Sequence, residues 1–139
     1  MDKLFYLCGG MTNVSQQEAS LWRTMIEELV KEQTNGNARV FNPLKAEPVD
    51  DIRKVDSVTM LYELDILRRS TLVIVYFNDP ASLGSMAEMA IAYERRIPIL
   101  GINSHHKDLH PWQEEMCDYI FEDFMEFWEY LKINYLGEI

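Results

Sequence analysis

Basic residues are scarce in this chain of 139 residues: 13 Lys and Arg stand against 23 Asp and Glu, a formal net charge of -10. A general nucleic-acid binder, or a protein that docks on an acidic membrane, needs a basic surface to displace counterions, so neither partner is expected. Any phosphate the chain binds must be met by a local device. Cysteine is nearly absent. Cys8 and Cys117 form no Cys-x-x-Cys pair and have no His at zinc spacing, which reads as buried free thiols in a reducing compartment rather than a disulfide framework. No stretch approaches the length of a membrane span, and the N-terminus lacks a charged segment followed by a long apolar run. A cytoplasmic protein with no membrane partner is expected. The three histidines, His105, His106 and His110, crowd one loop without the carboxylate spacing of a metal site, so neither a metal nor any other cofactor is expected.

Apolar residues, by contrast, make up 47% of the chain and aromatic residues 12%, enough for one ordinary domain, residues 1–139, with a single core and no staples. Its centre is residues 70–100, STLVIVYFNDPASLGSMAEMAIAYERRIPIL. Residues 72–77 are a continuous β-branched and aromatic run, the pattern of a strand buried on both faces in a parallel sheet. A turn at Asn78, Asp79 and Pro80 follows. Ser82 and Gly84 then mark the start of a helix with small and apolar residues at Met86, Ala87, Met89, Ala90 and Tyr93, and Pro98 begins the next strand. In such β-loop-α-β units ligands sit at the carboxyl ends of strands, against helix N-termini. Glu88 stands out as a carboxylate among Gly, Ser, Met and Ala. A solvated residue favoured by the helix dipole is its simplest explanation when it is taken alone.

Residues 4–8 (LFYLC) form a first strand that runs into Gly9 and Gly10, read either as a tight turn or as a loop that hugs a ligand. Ser15 and Glu18 suggest a capping box ahead of a helix with its apolar stripe at Ala19, Trp22, Ile26, Leu29 and Val30. Residues 33–37 are a turn, 39–43 a second strand, 44–56 an exposed loop, and 55–69 a helix whose polar face includes Glu63 and Asp65. Residues 98–102 give the fourth strand, 103–111 a polar loop, 118–121 a short fifth strand, and 122–135 an acidic and aromatic last helix. The order predicts a three-layer α/β/α sandwich, flavodoxin-like (Rossmann-like), with a parallel sheet of four to five strands.

The spacing Ser82-x-Gly84-x-x-x-Glu88 straight after a buried strand, together with the opening YLCGGMT at residues 6–12, resembles the nucleoside 2-deoxyribosyltransferase superfamily, including its branch of 2'-deoxynucleoside 5'-monophosphate N-glycosidases. The resemblance runs from Tyr6 to about Ile102. It implies an enzyme, a homo-oligomer, that acts on a nucleoside or nucleotide and breaks or transfers the bond between deoxyribose and base. Glu88 would be the nucleophile, Tyr6 its positioning hydroxyl, and Gly9, Gly10, Ser82, Gly84 and Ser85 the residues that hold sugar or phosphate. The loop at 44–56 would cover the site, and Asn103 or His110 would reach a neighbouring subunit.

The chain also departs from that family. An Asp usually precedes the central strand, with a second acid eight residues earlier; here Thr71 holds the first position, and counting back leads to Glu63, with Asp65 the nearest Asp. The partner acid is thus Glu63 or Asp65, which point to opposite sides of a helix and do not both serve. Where the family carries an Asp six before the nucleophile for free nucleosides, or a Ser for monophosphates, this chain has Ser82, favouring a 5'-monophosphate; an N-cap without ligand explains Ser82 equally well. Thr12 stands where the monophosphate branch has an Arg. These departures sustain a rival, a non-catalytic nucleotide or nucleotide-sugar sensor on the same fold. A receiver domain is disfavoured, since no acidic cluster follows the first strand.

Overall fold

A computed structural model describes residues 3–11, 14–45 and 57–137. Five strands, β1 (Lys3–Gly9), β2 (Ala38–Phe41), β3 (Leu72–Tyr76), β4 (Ile99–Ile102) and β5 (Tyr119–Phe121), form one parallel sheet in the order β2-β1-β3-β4-β5. The helices are α1 (Gln16–Thr34), α2 (Ser57–Arg69), α3 (Leu83–Glu94), α4 (Pro111–Met116) and α5 (Phe124–Leu131), the last running on into a π-helical turn at Lys132–Leu136. A 3-10 turn, Pro43–Lys45, follows β2. This is the expected three-layer sandwich with flavodoxin-like strand order.

The alternation along β1 divides the core in two. Phe5 and Leu7 pack with Trp22, Ile26, Phe127 and Leu131 under α1 and α5. Tyr6 and Cys8 face the other way, among Ile66, Leu67, Met89 and Met116 under α2, α3 and α4. The β3 sequence Leu-Val-Ile-Val is apolar at every position because both faces are covered.

Several element ends have local causes. Ser15 Oγ accepts from Glu18 N at 3.0 Å and starts α1. Asn35, in the left-handed region at φ 51°, ends it by donating its N–H to Lys31 O. The polar loop at 103–111 contains one correction: it leads directly into α4, a helix that apolar periodicity did not announce. His110 N donates to Gln113 Oε1 at 2.8 Å and Trp112 N donates to His110 Nδ1 at 3.1 Å, a capping box built on a histidine, with Pro111 at the first helical position. The expected loop at 44–56 lies outside the described residues beyond Lys45.

Candidate active site

In an open parallel sheet with this order, the topological switch point falls between β1 and β3, whose chains leave toward opposite faces. The carboxyl ends of these two strands carry Cys8, Gly9 and Gly10 on one side and Phe77, Asn78 and Asp79 on the other, and α3 begins directly above them.

Tyr6 projects from β1 toward α3, and its hydroxyl donates to Glu88 Oε2 at 2.5 Å. Tyr6 is fully buried. Burial first, then the negative charge of Glu88 and the hydrogen bond to it, hold the phenol far above its ordinary value of 10.0, with further contributions from Glu63 and Cys8. The phenol is therefore a proton donor at every physiological pH. Because Glu63 acts electrostatically on the same hydroxyl, it belongs to the same neighbourhood; it is buried, 6% exposed, on the inner side of α2. Asp65 is not brought there. It lies exposed on the outer side of α2, with Arg69 Nη2 3.0 Å from its Oδ2 one helical turn away.

Ser82 is the N-cap of α3, its Oγ accepting from Ser85 N at 3.3 Å. Asp79 shapes the preceding turn: its side chain accepts from Ala81 N at 3.3 Å and its carbonyl from Ser82 N at 3.0 Å. Ser85 is buried, and its hydroxyl has no oxygen or nitrogen partner among the described residues; its neighbour is the Cys8 sulfur. Around Gly84 the space is open, with nothing within 4 Å of where a Cβ would stand.

Packing alone demands both glycines of the first loop. A Cβ on Gly9 would lie 2.8 Å from the Trp22 ring, and one on Gly10 would lie 2.7 Å from Asp79 Cβ. Sequence reading missed what holds this loop. Gly10 N donates to Asn78 Oδ1 at 2.9 Å while Asn78 Nδ2 donates to Gly10 O at 3.3 Å, so one buried side chain ties the β1 loop to the β3 loop. From the other face the fully buried Arg23 donates to Gly9 O at 3.1 Å and to Ala19 O at 2.6 Å, with its guanidinium 4.7 Å from the Trp22 ring centre. An Arg inside the apolar stripe of α1 was the signal available for it. Asn78, in a turn next to Asp and Pro, gave none. Thr12 lies outside the described residues.

Thr71, where the family has an Asp, ties the start of β3 to β1: its Oγ1 donates to Leu4 O and accepts from Leu4 N, both at 3.0 Å. Asn103 is engaged within its own loop, its side chain donating to Lys107 O and accepting from Lys107 N, both at 3.0 Å. The histidines separate. His105 Nε2 is 3.0 Å from Tyr76 Oη, His106 Nδ1 is 3.2 Å from Glu122 Oε1, and His110 caps α4. A groove of about 720 Å³ runs between α3 and α4, bordered by Pro80, Met86, Lys107, Trp112 and Gln113; neither Tyr6 nor Glu88 lines it.

What results chemically is a carboxylate on a helix floor, held by a phenol that stays protonated, with a second buried carboxylate nearby. Such a pair suits attack on, or stabilisation of, an electron-poor carbon. Among the described residues no helix is long and apolar enough to cross a membrane.

No protein-family model matches the chain, and no curated protein matches its sequence. Solved structures do. A 2-deoxyribosyltransferase from Bacillus psychrosaccharolyticus aligns over 89% of this chain and 89% of its own, at 12% identity and a TM-score of 0.70. A conserved protein from Enterococcus faecalis V583 aligns over 96% and 99%, at 13% identity and a TM-score of 0.75. The CMP N-glycosidase of Clostridium botulinum aligns over 94% and 98%, at 15% identity and a TM-score of 0.57. Across nearly its whole length, then, the chain has the fold of a 2-deoxyribosyltransferase and a CMP N-glycosidase, the fold that its motifs at Tyr6, Gly9–Gly10 and Ser82–Glu88 implied.

Proposed function

We propose that the chain cleaves or transfers the N-glycosidic bond of a 2'-deoxynucleoside or its 5'-monophosphate, with Glu88 as nucleophile. The observation that carries this reading is the contact between the Tyr6 hydroxyl and Glu88 Oε2 at the β1/β3 switch point. An N-glycosidic bond breaks through an oxocarbenium-like transition state, and a carboxylate against C1' captures that charge. Glu88 forms the bond to C1' as the base departs with the electron pair of the broken C–N bond. A base leaves readily only when protonated, and buried Glu63 is the acid that the geometry favours over solvent-facing Asp65. Water or a second base then releases the sugar from Glu88 with overall retention.

Support for a 5'-monophosphate comes from a hydroxyl, not a carboxylate, at Ser82, from the open space at Gly84, and from the buried Ser85 hydroxyl in the first turn of a 12-residue helix. A homo-oligomer in a reducing compartment completes the reading.

The decisive experiment incubates the purified protein with each deoxynucleoside and each 5'-monophosphate, with and without a second free base, and separates the products chromatographically. Base released from monophosphates, and lost in Glu88→Gln and Glu88→Ala proteins that still fold, is the expected result. Exchange of base on free nucleosides would make the activity a transfer. No release from any substrate would overturn the proposal in favour of a nucleotide-binding sensor, and undiminished turnover in Glu88→Gln would remove Glu88 as nucleophile.

A further inference from the structure

Gln113 is a buried polar side chain, 3% exposed, on α4, a helix that the chemistry above does not use. Both ends of its amide are engaged. Oε1 accepts from His110 N at 2.8 Å, which completes the cap of α4, while Nε2 reaches out of the helix and donates to Pro80 O at 2.8 Å. A backbone N–H only donates and a carbonyl only accepts, so these two neighbours fix which end of the amide is which. Pro80 stands second in the turn Asp79–Ser82, which leads from β3 into α3. Ser82 N closes that turn by donating to Asp79 O at 3.0 Å, and Ser82 is itself the N-cap of α3. The turn is held from one side already, since Asn78, the residue before it, is clamped to Gly10. Gln113 holds it from the other.

We propose that Gln113 is a positioning residue for the turn Asp79–Ser82, its amide N–H fixing Pro80 and through it the place of Ser82 and the first turn of α3 at the candidate site; its role in turnover rests on the reaction proposed above. The bond spans 33 residues of chain, so it is a tertiary link and no part of the local folding of α4. It joins a helix without reacting groups to the segment that the proposed reaction uses to hold sugar or phosphate.

An amide suits this place. A capping box takes Glu as readily as Gln at this position, because the cap asks only for an acceptor. The bond to Pro80 asks for a donor, and a carboxylate there would set one acceptor against another. Gln meets both demands at once. Without the donor, the turn loses its hold on the α4 side and Ser82 shifts with it. Glu88 stays tied to Tyr6 from β1, further along α3, so the binding of substrate suffers before the chemical step does.

Two measurements test this. The first compares Gln113→Glu with the wild-type protein on the substrate that the wild type cleaves. Gln113→Glu keeps the cap of α4 and loses the bond to Pro80, so KM is expected to rise about five- to tenfold, the equivalent of one lost hydrogen bond, with kcat within about twofold. A wild-type KM, or a loss carried by kcat alone, would overturn the proposal. Gln113→Met, uncharged and of similar volume, serves if a buried carboxylate prevents folding: the same rise in KM is expected, and a wild-type KM overturns the proposal. The second measurement, amide hydrogen exchange, needs no turnover. The Ser82 N–H that closes the turn is expected to exchange at least about fivefold faster in Gln113→Glu, while the Glu114 N–H, bonded to His110 O within α4, keeps its wild-type rate. Unchanged exchange at Ser82, or equal acceleration at Glu114, would show that the side chain serves α4 alone and would overturn the proposal. Absence of base release by the wild-type protein overturns the proposed reaction alone, and exchange at Ser82 still decides whether Gln113 holds the turn.

Discussion

The Tyr6 hydroxyl on β1 and the Glu88 carboxylate on α3 meet at 2.5 Å, although 82 residues separate them in the chain. Strand and helix are brought together by β3, which pairs with β1 and hands the chain directly to α3. The contact fixes the orientation of the proposed nucleophile before any substrate arrives, so the ordering cost is met by folding and not by binding.

Tyr6→Phe removes the strong donor and little volume. A hydrogen bond to a charged group is worth about 1.5–3 kcal/mol, which predicts a kcat lower by about 10- to 100-fold with KM changed much less. Steady-state kinetics checks it; a Tyr6→Phe protein with wild-type kcat would show that the contact is only structural.

Glu63→Gln and Asp65→Asn separate the two candidate acids. General acid catalysis contributes about 10²–10⁴, so Glu63→Gln is expected to lose at least about 100-fold in kcat. The exposed Asp65–Arg69 pair is worth only about 0.3–0.5 kcal/mol, so Asp65→Asn is expected to keep both turnover and melting temperature nearly unchanged. The reverse order of effects would assign the acid to Asp65.

Asn78→Ala and Gly10→Ala attack one clamp from two sides. The first removes both bonds that hold Gly10, with a stability loss of about 1–3 kcal/mol; the second forces a Cβ against Asp79 and costs a similar amount by displacing the loop. Both are expected to raise KM. Thermal unfolding and KM unchanged in either would deny the clamp a part in the site.

Ser82→Asp is a clean probe because Asp caps helices as well as Ser does, so α3 remains intact. A carboxylate there repels a phosphate, and kcat/KM for a monophosphate relative to its free nucleoside is expected to fall at least about tenfold. An unchanged ratio would leave Ser82 as a cap and nothing more.

Stability is expected to decline in alkali. Both Tyr6 and Cys8 have their folded values raised above the ordinary 10.0 and 9.0, by burial first and the charge of Glu88 second. At a pH above those ordinary values the unfolded chain loses the protons while the folded one keeps them, so their contribution is complete below about pH 9 and is lost progressively as pH rises beyond it. Melting temperatures from pH 8 to 11 measure this. Tyr6→Phe is expected to flatten the fall, and an equal slope in both proteins would contradict it.

The sequence made the sheet legible because a parallel strand buried on both faces leaves an unbroken apolar run, as at residues 72–76, and Glu88 was conspicuous against small neighbours. Helix α4 was hidden because six residues hold too little periodicity to register and its cap is a histidine. The choice between Glu63 and Asp65 is a matter of which side of α2 meets the sheet, and that is set by packing with α3 rather than by spacing. Arg23 and Asn78 escaped for a related reason: their roles are hydrogen bonds to the backbone of Gly9 and Gly10, and a backbone atom looks alike in every sequence.

β1 carries Tyr6 and Cys8 and is paired on both edges, with β2 and with β3, while its two faces are covered by separate halves of the core. Such a strand is expected to open only with the whole molecule, which places its amides among the slowest to exchange with solvent. Through the Tyr6 hydroxyl the proposed reacting carboxylate is thus moored to a strand expected to be among the last parts of the protein to open.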